Sequence, residues 1–307
     1  MISSFFKKSG VLSYLLSLGL LAVAVYSQGE TQGALVLITA KKSFALFLLS
    51  LCMLAVDWSV KQRYWATKAN YHLFLFPFFI LAFPAETSGN WLLVFLFFLW
   101  IAFNYIVAID QSGGIVKKVF NAFFFFFIGV LFFPQGILLL PLLWLLLFIK
   151  RSLNLQSFFI SLVPIMALYL IEVSVVYFLP NSVLIPPFDF SKVVMSLPIR
   201  EGVRFNLWWG IMLVLSLFAV LKHYVDMGTK SASYGAGMIS LFIMTLMAIL
   251  FGVFFQSQSG FAWTLFLMTL TALSTRLFEG IKRLWLREGL LYIIMTLLLL
   301  GKYGFPF

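Results

Sequence analysis

The sequence predicts an all-α, polytopic transmembrane helical bundle of about eleven spans, with its N-terminus cytoplasmic and its C-terminus outside. Three observations predict it. The 307 residues are 63% hydrophobic and 10% charged, with a mean hydropathy of +1.07. The apolar residues fall in long runs cut by short breaks, and every second break is rich in Lys and Arg. A soluble domain is about 45–50% apolar and about 25% charged. A water-soluble core of this length cannot hide so much apolar surface, so lipid is the expected solvent for much of it.

At roughly 20 residues per spanning helix, the runs lie at about 11–27, 43–60, 71–84, 91–109, 119–133, 137–149, 157–179, 206–222, 236–255, 261–277 and 289–301. Of the 21 basic residues, 15 fall in the breaks on the side of the N-terminus, from Lys7 to Arg287. The other six are Lys41, Lys42, Lys192, Arg200, Arg204 and Lys302. Cytoplasmic loops carry the excess of Lys and Arg, so this split places the N-terminus inside.

The first run follows Lys7 and Lys8 and contains Ala22-Val23-Ala24, as a signal peptide does. The chain re-enters the membrane soon afterwards, so an uncleaved span is expected. Ile2, Phe5 and Phe6 ahead of the lysines suit a short interfacial anchor. Pro134-Gln135-Gly136 breaks the stretch 119–149, which is bounded by Lys117-Lys118 and Lys150-Arg151. Two short crossing helices and one re-entrant hairpin both keep those ends on one side. The segment 180–205 mixes Pro180, Pro186, Pro187 and Pro198 with charges and apolar residues, and suits an outer loop with an amphipathic helix on the membrane surface. The chain forms a single transmembrane domain without internal repeats, so an inverted-repeat transporter has no support.

A formal charge of +11 in a soluble protein would point to nucleic acid. Here the basic residues flank spans, so the lipid bilayer is the expected partner and nucleic acid is not. Cys52, His72 and His223 make neither a disulfide nor a metal set. The 38 Phe residues read as packing and lipid-facing rings rather than a cofactor box, and no cofactor is expected. Walker, GxGxxG, HExxH and GxSxG patterns are all missing.

Glu172, well inside the seventh run, is the sharpest candidate for function, because a carboxylate at depth is costly and often serves a proton, ion or substrate. Asp57 and Lys61 stand four apart near the end of the second run, which predicts a local ion pair. Asn104 in the fourth run predicts an interhelical hydrogen bond. Glu30 and Glu86 follow the first and third runs and so share the outer face. Membrane glycosyltransferases that use polyprenyl-phosphate sugars place acids in these two loops, where a carboxylate accepts a proton or holds a metal. Arg200 and Arg204 are candidates for a lipid phosphate.

Several stretches resemble an uncharacterised family of polytopic inner-membrane proteins from Bacteroidota. They are Met1 to Lys7, Asp57 to Arg63, Thr67 to Tyr71, Phe83-Pro84-Ala85-Glu86, Phe120-Asn121-Ala122, Phe132-Phe133-Pro134 and Lys150 to Asn154. The resemblance implies an inner-membrane location and a domain of unknown function, and it transfers no catalytic residue.

Three functional readings follow. The leading one is a non-catalytic subunit or scaffold of a cell-envelope complex, with a membrane-protein partner. The second is a glycosyltransferase-like protein that binds polyprenyl-phosphate or a glycolipid through the outer acids. The third is a transporter or lipid-handling protein centred on Glu172.

Overall fold

A computed structural model describes residues 10–27, 35–62, 70–82, 90–109, 114–178, 203–227, 232–255, 263–281 and 283–303. In order these form α1 (Val11–Tyr26), α2 (Leu35–Gln62), α3 (Tyr71–Ala82), α4 (Asn90–Val107) and α5 (Ile115–Phe132). A 3₁₀ helix (Pro134–Leu139) leads into α6 (Leu140–Ile149) and α7 (Leu155–Phe178). The chain closes with α8 (Val203–Met227), α9 (Ala232–Phe255), α10 (Thr264–Gly280) and α11 (Leu284–Tyr303). No strand occurs among the described residues, so the fold is all-α. By length and composition, α2, α4, α5 and α9 suffice to cross a membrane.

Each expected run falls on a helix, but several boundaries move. Helix α2 begins at Leu35 and takes in Lys41 and Lys42, which the sequence had assigned to a break. Its 28 residues span about 42 Å, enough for the hydrocarbon core plus the headgroup layers. The lysines are the seventh and eighth residues of the helix. Helix α11 begins before residue 289 and draws Arg287 and Glu288 into its first turns. Arg204 stands in the first turn of α8 rather than in the loop 180–205. The rest of that loop lies outside the described residues.

The chain divides into two compact units, residues 1–90 with 195–307, and residues 91–194. In the first, α3 and α10 are central. Helix α3 has 12 residues, about 18 Å, and is buried almost throughout. A helix too short for the roughly 30 Å core is tolerated where protein rather than lipid surrounds it. Helix α10 is buried at every position from Thr264 to Thr275. Its small hydroxyl residues explain this, because they let neighbouring helices come close. Thr269, Thr271 and Thr275 donate to the Phe266, Leu267 and Thr271 carbonyls of their own helix, so none of these hydroxyls is left wanting.

The second unit is held by rings. Trp91, Phe132, Phe98, Phe125 and Tyr105 form a continuous ladder between α4 and α5, with successive centroids 5.8, 6.4, 6.2 and 5.7 Å apart and planes within 14°. Trp91, Phe98 and Tyr105 recur every seventh residue, as do Phe125 and Phe132, so two antiparallel helices keep their rings in register. Offset-stacked pairs of this kind add about 0.5–1.5 kcal/mol each.

At the other end of α5 two lysines converge on α4. Lys118 Nζ donates to the Ala108 carbonyl at 2.7 Å and Lys150 Nζ to the Val107 carbonyl at 3.1 Å. Both satisfy carbonyls that a helix C-terminus leaves open. The two ends of 119–149 thus lie together, as both sequence readings require. The 3₁₀ segment and α6 would rise about 12 and about 15 Å if collinear, matching about 27 Å for α5.

Candidate functional site

The densest polar constellation among the described residues sits in the first unit, where the start of α1, the end of α2 and the start of α3 meet. Asp57, on the penultimate turn of α2, is its hub. Its Oδ1 accepts from His72 Nε2 at 2.5 Å and from Lys61 Nζ at 2.7 Å. Its Oδ2 accepts from the Tyr14 hydroxyl at 2.8 Å and again from Lys61 Nζ at 2.9 Å. Lys61 also donates to the Tyr14 oxygen at 2.7 Å, closing a ring of hydrogen bonds. Asp57 is 8% exposed and His72 only 1%, so the carboxylate and imidazole are withdrawn from solvent.

Helix geometry produces the hub. Asp57 and Lys61 share one face of α2 at the i,i+4 spacing. His72 opens α3 just beyond the intervening break, and Tyr14 enters from the first turn of α1. The predicted Asp57–Lys61 pair is present. Tyr14 and His72 are partners the sequence reading missed. The available clue was depth: all four stand at span ends that the charge pattern assigns to one side.

Asp57 receives four donor contacts, and both its oxygens are engaged, so the cluster works as a clamp on three helices. His72 Nδ1 has no hydrogen-bond partner among the described residues. Nearby elements extend the charged layer. Arg276 pairs with Glu279 at 3.2 Å near the end of α10. The Arg287 guanidinium lies 5.4 Å from the centre of the Tyr71 ring, and that ring meets Phe278 edge-on at 6.4 Å. His223, fully buried, contacts the Leu273 carbonyl through Nε2 at 3.1 Å.

The remaining candidates do not join this cluster. Asn104 is fully buried in α4 and donates to the Trp100 carbonyl of its own helix at 2.8 Å. Glu172 lies on α7 and Arg204 on α8. Glu30, Glu86 and Arg200 lie outside the described residues. Among the described residues no group of three His, Cys, Asp or Glu side chains is placed to hold a metal ion.

Helices of this length and composition define a class, that of helical proteins compatible with a membrane. Comparison with family models, curated proteins and solved structures finds no match to this chain.

Proposed function

We propose that this chain is a multi-pass protein of the bacterial inner membrane that serves as a non-catalytic subunit or scaffold of a cell-envelope complex. In this reading the eleven described helices are spans, with the Asp57 clamp on the cytoplasmic side. The observation that carries the proposal is the second half of α7. The first half packs down, with Ser157 and Ser161 buried and Trp144 of α6 donating to the Ser161 hydroxyl at 3.0 Å. Beyond it, Tyr169, Leu170, Ile171, Val173, Ser174 and Tyr177 are all exposed. Apolar residues alone would be content with lipid, but this stretch also carries Glu172. A carboxylate at membrane depth is expensive, and such groups are found facing protein or a wet cavity. A helix of a partner membrane protein offers both apolar contact and a hydrogen-bond donor.

Gentle purification from membranes followed by mass spectrometry tests the reading. A stoichiometric membrane-protein partner is expected. A variant combining Tyr169→Ala, Ile171→Ala and Tyr177→Ala should reduce its recovery about tenfold, since exposed aromatic anchors dominate interfaces. The thermal stability of the isolated chain should hold. An unchanged partner yield would overturn the role of α7. A lone protein carrying a polyprenyl-phosphate glycolipid would move the reading to Glu30, Glu86, Arg200 and Arg204.

A further inference from the structure

We propose that the groove between α8 and α11 holds an acyl chain of an anionic phospholipid, with the Lys222 ammonium at its phosphate. The cavity has a volume of about 870 Å³. Val214, Phe218 and Leu221 of α8 face Leu290, Ile294 and Leu297 of α11 across it, and the end of α10 closes it at Gly280. It opens sideways: Val214 is 53% and Phe218 60% exposed, so a lipid can enter from the membrane without threading.

Length and charge select the occupant. The groove runs along α8 from Gly210 to Lys222, about 18 Å of helix. Half of the roughly 30 Å hydrocarbon core is about 15 Å, so the groove fits the chains of one leaflet. At Gly210 a Cβ would meet no atom within 4 Å, leaving the deep end open. Charge appears at the other end, where Lys222 is the one ionisable side chain among the described residues of the lining.

Gly280 shapes that end. A Cβ there would meet Lys222 Cε at 2.7 Å, so the glycine lets the lysine stem lie across the end of α10. An ammonium has three N–H donors, so it can hold a phosphate together with another acceptor. Trp285, 67% exposed near the start of α11, belongs to the residue type that anchors at headgroup level. A zwitterionic headgroup brings its own cation and needs an acid to receive it, and among the described residues the lining offers none.

The proposal does not depend on the scaffold reading, because it is tested on the isolated chain. The full-length protein is placed in nanodiscs of equimolar phosphatidylglycerol and phosphatidylcholine, then released for native mass spectrometry. Phosphatidylglycerol should be retained about tenfold over phosphatidylcholine, the scale of one charge-assisted contact. Lys222→Ala should abolish that preference while lipid is still retained, and Lys222→Arg should keep it. Val214→Trp, which fills the groove from an exposed position, should displace both lipids. A preference that survives Lys222→Ala, lipid occupancy unchanged by Val214→Trp, or a wild-type chain that retains no lipid would each overturn the proposal.

Discussion

Asp57→Ala is expected to destabilise the purified protein by about 3–5 kcal/mol, the usual cost of removing one partner from a buried charged network. The loss exceeds that of any single hydrogen bond because three donors are stranded together. His72 Nε2, 1% exposed, cannot turn to water, and Tyr14 and Lys61 lose the acceptor that joins α1 to α2. Lys61→Ala should cost far less, about 1 kcal/mol or below, since the lysine side chain is 41% exposed and solvent screens its pair. Asp57→Asn should fall between, keeping acceptor oxygen while losing charge. Replacing both Asp57 and His72 with leucine should recover part of the loss, because the stranded imidazole goes with its partner. Thermal unfolding in mild detergent reads all four. Equal effects of Asp57→Ala and Lys61→Ala would show that the hub is solvated and clamps nothing.

The same hub marks how far the sequence could be read. Asp57 and Lys61 were legible because both lie on one helix, where spacing alone decides contact. Tyr14 and His72 were not, since their meeting depends on how α1 and α3 pack against α2, and no local period encodes that register. The helices themselves were legible because each lies on an apolar run. Their ends were not: Lys41, Lys42, Arg204, Arg287 and Glu288 are carried on helices although charge suggested breaks. Long side chains reach the interface from within a helix, so a charge marks depth rather than a terminus. The central place of α10 was hidden for a related reason. Apolar periodicity separates lipid from water poorly when the buried side is lined by Thr and Ser. The ring ladder of Trp91, Phe98, Tyr105, Phe125 and Phe132 does repeat by sevens, but 38 phenylalanines obscure it.

Gly136 carries the other large effect. In the break Pro134-Gln135-Gly136 the glycine lies directly on the Phe95 ring, and a Cβ there would overlap the ring's edge carbons. Phe95 has little room to yield: it is fully buried, edge-on to Phe126 at 6.2 Å and tilted against Phe133 at 5.7 Å. Gly136→Ala is therefore expected to cost about 1–3 kcal/mol by overpacking, and Gly136→Val more. The effect belongs to one contact, so it should be rescued there. Adding Phe95→Leu removes the ring that the new methyl strikes. The double variant should then be more stable than the sum of the single losses predicts, by about 0.5–3 kcal/mol. Unfolding midpoints of the four proteins in one detergent complete the cycle. Strict additivity would mean that Gly136 is needed for its backbone rather than for the close approach of α4. The turn would then be set by Pro134 and the 3₁₀ hydrogen bond from Gly136 N to the Phe133 carbonyl at 2.9 Å. Rescue would instead show that the return of the chain beside α4 is fixed by packing at Phe95.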